Sequence, residues 1–131
     1  MTLLNNKHRI LLVDDDESIC YVLQSFLGKH FQVDVAHDGL HAMHILSEKK
    51  LPDLIISDIV MPNMNGVGFI EMLSKSGIYR DIPVIILSGY EGEIPDTWQN
   101  ANVAKHFKKP FDPQDVLKAS KEVLNNACTT K

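Results

Sequence analysis

Two kinds of apolar spacing alternate along this chain. A short run at 9–13, "RILLV", gives way to "ESICYVLQSFLGKH", in which Ile19, Val22, Leu23, Phe26 and Leu27 recur at the intervals of a helix face. Asp16 and Glu17 stand where a helix N-terminus favours negative charge, and Gly28 lies near the helix end. "FQVDVA" (31–36) alternates as a strand does, "HDG" turns the chain, and "LHAMHILSEKK" reads as a helix burying Ala42, Met43 and Leu46. "DLIIS" is a third strand, "VGFIEMLSKSG" a third helix, and "IPVIILSG" a nearly continuous apolar strand of the kind covered on both faces. In "YEGEIPDTWQNANVAK", Gly92 and Pro95 confine any helix to a short one starting near Asp96. "HFKK" makes a fifth strand. "DPQDVLKASKEVLNNA" makes a last helix, with Asp112 as N-cap and Pro113 in the first turn.

Five strand-helix units predict an α/β domain whose parallel sheet carries helices on both faces. Ligands of such sheets bind outside the carboxyl ends of the strands. At those ends this sequence places Asp14, Asp15 and Asp16 after the first strand and Asp58 after the third. Ser88-Gly89 follow the fourth and Lys109-Pro110 the fifth. The stretch "DLIISDIVMPNMNG" (53–66) is the most pointed. Its apolar run ends in a carboxylate, and the chain then breaks at Met61-Pro62 and turns at Asn65-Gly66.

Composition narrows the class without changing this picture. At 131 residues, 44% hydrophobic and 23% charged, the chain reads as one ordinary globular domain. A formal charge of −4 argues against a nucleic-acid-binding domain, whose footprint is basic. No apolar run approaches the ~20 residues of a membrane span, and "MTLLNNKHR" is too short an apolar patch for a signal peptide. Cys20 and Cys128 lie far apart, without paired spacing, and read as reduced thiols of a cytoplasmic protein.

Three carboxylates crowded at one sheet edge repel unless a cation enters. Oxygen ligands with room for water suit Mg²⁺, which readily shares its coordination with a phosphate, and Mn²⁺ is the alternative ion. A carboxylate can attack a phosphoryl group to form an acyl phosphate, while metal, ammonium and hydroxyl groups spread the incoming charge. On this chemistry Asp58 is a nucleophile.

At these residues the chain resembles the receiver domains of two-component response regulators. "LLVDDDES" matches the acidic-pair segment, "DLIISDIVMPNMNG" the phosphorylation-site segment, "VIILSG" the hydroxyl segment and "HFKKPF" the lysine segment, all in order. The resemblance spans residues 8–126, between an N-terminal extension at 1–7 and a frayed tail at 127–131. It implies a flavodoxin-like doubly wound (βα)5 fold with strand order 2-1-3-4-5. It further implies Mg²⁺-dependent phosphoryl transfer to Asp58 from a sensor histidine kinase, a phosphotransfer protein or a small donor. Asp15 is the implied direct metal ligand and Asp14 mainly holds a metal-bound water, with Asp58 and the carbonyl of Val60 as further ligands. The Ser88 hydroxyl would bind a phosphoryl oxygen. Lys109 would pair with Asp58 before phosphorylation and with the phosphoryl group after it, and a cis peptide is expected at Lys109-Pro110.

His106 stands where the family usually carries an aromatic switch residue. Its ring would turn inward as Ser88 moves, changing the surface of the fourth helix, fifth strand and fifth helix for a downstream effector or linked output domain. Such a protein is a regulator rather than a turnover enzyme. It would act as a monomer or a phosphorylation-promoted homodimer, without direct contact to nucleic acid or membrane. Departures from the family pattern carry consequences. Ser88 replaces a commoner threonine and keeps the hydroxyl. Val60 and Tyr90 offer no carboxylate or amide to orient an attacking water, which predicts slow self-dephosphorylation.

Other readings fit the residues less well. A pseudo-receiver that never uses phosphate would not need the complete acidic, hydroxyl and lysine set. A flavin-binding electron carrier of the same architecture needs a phosphate-cradling loop after the first strand, where only repelling carboxylates stand. A Mg²⁺-dependent phosphohydrolase would carry a second aspartate just past Asp58, where Ile59 and Val60 follow. His37, His41 and His44 share a helix face and read as solvated, since no acidic or thiol ligand is evident beside them. Tyr90, Trp98, Phe107 and Phe111 could serve either as a binding surface or as core.

Overall fold

The apolar runs form strands that lie side by side in one sheet: β1 (Arg9–Val13), β2 (Gln32–Ala36), β3 (Leu54–Asp58), β4 (Val84–Ser88) and β5 (Val103–Lys108). The computed structural model describes residues 8–48, 51–58, 66–88 and 102–129. All pairings are parallel and the order is β2-β1-β3-β4-β5, as a flavodoxin-like fold requires. Helices α1 (Glu17–Leu27), α2 (Gly39–Glu48), α3 (Gly66–Lys75) and α4 (Pro113–Thr129) accompany them. The helix expected near Asp96 falls outside the described residues, so the last helix takes the label α4.

The inner strands β1, β3 and β4 are apolar on both sides because each side meets a helical layer, whereas the edge strands β2 and β5 carry polar residues. Leu11, Val13, Ile55, Val84 and Ile86 face α2 and α3, packing on Ala42, Leu46, Phe69 and Ile70. Ile10, Leu12, Leu54, Ile56, Ile85 and Leu87 face α1 and α4, packing on Leu23, Leu27 and Val116. Helices α1, α2 and α4 start where short polar side chains satisfy free backbone donors. Asp16 accepts from the N–H groups of Ser18 and Ile19 at 2.9 and 3.2 Å. Asp38 accepts from His41 N–H at 2.7 Å, and Asp112 from Gln114 N–H at 2.9 Å.

The structure differs from the sequence pattern in three places. The buried line of α1 is Cys20, Leu23 and Leu27, with Val22 exposed, because the sheet and α4 together claim a face rotated from the apolar one. β5 begins at Val103 rather than at His106, and a register irregularity near Val84 and Ile85 lets this partly exposed edge strand pair with β4. α4 runs on through Thr129, where a tail had been expected from residue 127.

The two-layer packing sets a direct test. Phe69 is fully buried between α3 and the sheet, so Phe69→Ala should lower the unfolding free energy by about 3–5 kcal/mol. Val22→Ala, on the exposed side of α1, should stay within about 0.5 kcal/mol. Urea denaturation of both variants checks the pair.

Candidate functional site

The two-residue period of the strands decides which side chains meet at the sheet's edge. Ile10 and Leu12 face α1 and α4, and so does the next residue in step, Asp14. Leu54 and Ile56 face the same layer and lead to Asp58. β1 and β3 are adjacent, with Leu12 opposite Ile56 and Val13 opposite Ser57, so the two carboxylates emerge side by side. On β5, Phe107 packs in that layer and Lys109 lies two residues further on.

Three groups close on one another as a result. Lys109 Nζ donates to Asp14 Oδ2 at 3.1 Å and lies 3.2 Å from Asp58 Oδ2. Asp14 has no exposed surface, Asp58 retains 6%, and Asp15 beside them is exposed. Asp14 Oδ1 accepts from Asp16 N–H at 2.9 Å. The Ser57 hydroxyl donates to the Asp58 carbonyl at 2.8 Å. Burial raises the Asp14 pKa above its ordinary value. The Asp16 N–H opposes this, the Asp58 charge adds to it, and the Lys109 ammonium pulls it back in part. Burial alone would lower the Lys109 pKa, but Asp14 first and then Asp58 outweigh it, and the pKa rises.

Carboxylate oxygens of Asp14, Asp15 and Asp58 lie within 4.8 Å of one another, the one group of three ligating side chains among the described residues. An all-oxygen, all-anionic donor set with one exposed member fits a hard divalent cation that keeps some of its water. Zinc or copper would instead favour nitrogen and sulfur. The residues present therefore fit Mg²⁺. Beside the site, an apolar groove of about 490 Å³ opens between α1 and the segment after β5, lined by Ile19, Val22, Lys109, Pro110 and Phe111.

The other expected residues fall as follows. Ser88 ends β4 and pairs in register with Lys108. Val60 lies outside the described residues, as do Tyr90 and Trp98. The Lys109-Pro110 peptide is cis. His106 pairs in register with Ile86 of the α2/α3 side, so it occupies the sheet face opposite the carboxylates. Its Nε2 is buried and has no hydrogen-bond partner among the described residues. Burial first, and then the Lys108 ammonium, lowers its pKa. Phe107 and Phe111 pack against the core. His37, His41 and His44 are exposed. An acidic neighbour does stand there, contrary to the sequence reading: Glu48 pairs with His44 at 3.3 Å, one helical turn on. Two contacts at the site went unforeseen. Lys109 reaches Asp14 as well as Asp58, and the buried Cys20 thiol donates to the Asp14 carbonyl at 3.3 Å. Only the place of Cys20, four residues past the Asp16 cap, could have signalled the second.

A family model for the response regulator receiver domain matches residues 10–121. The protein PilH of Pseudomonas aeruginosa is 36% identical over 118 residues, covering 88% of this chain and 97% of its own. A probable transcriptional regulator, ycf29, of Porphyra purpurea is 33% identical over 120 residues, covering 89% of this chain and 56% of its own. The chain thus spans about half the length of several curated relatives and nearly all of PilH. Among solved structures, a CheY-like response regulator receiver domain protein from Methanospirillum hungatei superposes with a TM-score of 0.84 at 25% identity. That alignment covers 96% of this chain and 100% of the other. The chemotaxis response regulator CheY4 of Vibrio cholerae superposes with a TM-score of 0.77 at 28% identity, covering 90% and 99%.

The raised Asp14 pKa predicts a pH dependence in metal-free solution. The folded chain binds this proton more readily than the unfolded chain, whose value is near 3.8. The associated stability is therefore fullest at low pH and is lost as pH rises through the folded value. Asp14→Asn cannot titrate. Denaturation in chelator from about pH 4 upward should show wild type losing stability relative to the variant; a constant difference would contradict the electrostatics described above.

Proposed function

The chain belongs to the response regulator receiver domain family of two-component signalling, and we propose that it is switched by transfer of a phosphoryl group onto Asp58. Receiver domains are signalling regulators that bind Mg²⁺ through acidic residues and work with histidine kinases and output domains. The observation that carries the finer reading is the ammonium of Lys109 set between Asp14 and Asp58, with Asp15 alongside.

In this reading a carboxylate oxygen of Asp58 attacks the phosphorus of a phosphohistidine on a kinase or phosphotransfer protein. The O–P bond forms as the N–P bond breaks, and the electron pair stays on the imidazole nitrogen, which takes up a proton. Asp15, Asp58 and the Val60 carbonyl would hold Mg²⁺, with Asp14 orienting one of its waters. Bound there, the ion would neutralise charge on the phosphoryl oxygens. Lys109 would exchange its pairing with Asp58 for one with the phosphoryl group, and the Ser88 hydroxyl would donate to another phosphoryl oxygen. The groove walled partly by Lys109 offers a donor domain an apolar seat within reach of Asp58. His106 would report the change on the opposite face of the sheet to a downstream effector or linked output domain. The cytoplasm, where histidine kinases present their phosphohistidine, is the compartment this implies. No helix among the described residues is long and apolar enough to cross a membrane.

Incubation with Mg²⁺ and a small phosphodonor, followed by intact mass, tests the assignment. One added phosphoryl group is expected in wild type and none in Asp58→Asn or in chelator. Once donor is removed, the adduct should decay more slowly than in receivers with polar groups at the positions of Val60 and Tyr90; equal or faster decay contradicts the role given to those positions. His106→Tyr should accept the phosphoryl group normally yet alter affinity for the output partner, and unchanged affinity would remove His106 from the switch.

A further inference from the structure

Asp14 has a partner for each of its polar groups. Its N–H donates to the Ala36 carbonyl at 3.0 Å, extending the β1–β2 ladder. Oδ1 takes the Asp16 N–H at 2.9 Å and Oδ2 takes Lys109 Nζ at 3.1 Å. The carbonyl oxygen receives the Cys20 thiol, with Sγ at 3.3 Å. Asp15 is held quite differently. It is exposed, and among the described residues its carboxylate accepts no hydrogen bond. Where that carboxylate points is therefore inherited from the backbone that carries it.

The Asp14 carbonyl and the Asp15 N–H belong to one rigid peptide plane. Pinning the oxygen pins the plane, and with it the Cα from which Asp15 projects. We propose that Cys20 is a positioning residue for the metal site, its thiol fixing the Asp14–Asp15 peptide so that Asp15 is presented toward Asp14 and Asp58. This rests on the reading of Asp15 as a Mg²⁺ ligand. The local fold explains how the thiol gets there. Cys20 lies four residues past the Asp16 cap and donates its own N–H to the Asp16 carbonyl at 3.1 Å. Side chains on a helix lean toward its N-terminus, which carries Sγ back over the β1–α1 loop. Cys20 is buried and takes no part in a disulfide. Its thiol is therefore available to donate to the Asp14 carbonyl.

Cys20 also fills space in the α1/α4 core, and a small apolar side chain could do that as well. A donor and a filler predict different results in substitution. A serine keeps a donor but suits the apolar core less well, whereas an alanine loses the donor outright. Full-length wild type, Cys20→Ser and Cys20→Ala can be titrated with Mg²⁺ while the backbone amide resonances of Asp15 and Asp16 are followed, with thermal melts alongside. Positioning predicts that Cys20→Ala weakens Mg²⁺ binding roughly three- to tenfold, the range for loss of one modest hydrogen bond. Cys20→Ser should stay within about twofold of wild type, although both variants melt lower. Alanine binding as wild type does, or serine binding as weakly as alanine, overturns the proposal while the metal site stands. Absence of a saturable Mg²⁺ response in wild type overturns both together.

Discussion

The site depends on one ammonium shared between two buried carboxylates. Asp14 and Asp58 stand on neighbouring parallel strands with almost no exposed surface, an arrangement that desolvation and mutual repulsion oppose. Lys109 offsets part of that cost by lying 3.1 Å from one and 3.2 Å from the other. With Asp15 included, three carboxylates face one ammonium, so with all four ionised 3 − 1 leaves two negative charges around three carboxylate oxygens, one from each residue, that lie within 4.8 Å of one another. That is the charge of one divalent cation. Attraction for such an ion follows from that imbalance.

The sheet accounts for why these groups meet. In a strand buried on both sides, every second residue looks toward one helical layer, and the first position beyond the apolar run inherits that direction. Asp14 and Asp58 are such residues on adjacent strands, and Lys109 takes the equivalent place after β5. The same alternation puts His106, opposite Ile86, on the other face. A change at the carboxylates can reach it only through the sheet or around its edge. The strand period therefore sets the carboxylates and His106 on opposite faces of the sheet.

How much of this was legible in the sequence varied with burial. β1, β3 and β4 are compact apolar runs because helices cover both their faces, and their carboxyl-end residues could be named directly. β5 is a half-exposed edge strand, so its start was obscured by alternating polar residues, and the bulge near Val84 and Ile85 left no mark in the pattern. In α1 the apolar stripe suggested Val22 as core, yet α4 and the sheet bury Cys20 instead. Two helices competing for one surface fix that rotation, and no local propensity encodes it. The second partner of Lys109 escaped notice for a similar reason. Pairing across 95 residues of chain depends on where β5 ends relative to β1, which register alone determines.

The acidic cluster also marks where the fold gives up stability for readiness. In metal-free solution a buried carboxylate at Asp14 is held above its ordinary pKa, so ionising it works against the folded state. The apolar layers on either side of the sheet tolerate this because the apolar residues of β1 and β3 are paired and buried right up to the acidic ones. A cation entering the cluster relieves that opposition, so binding and folding are coupled in sign: what the apo fold lacks, the ion supplies. This makes the placement of Asp15 consequential. Asp14 and Asp58 are fixed by burial and by Lys109, whereas Asp15 stands in solvent. The thiol beneath the Asp14 carbonyl holds the peptide before Asp15, as the Asp16 N–H bond to Asp14 Oδ1 holds the peptide after it.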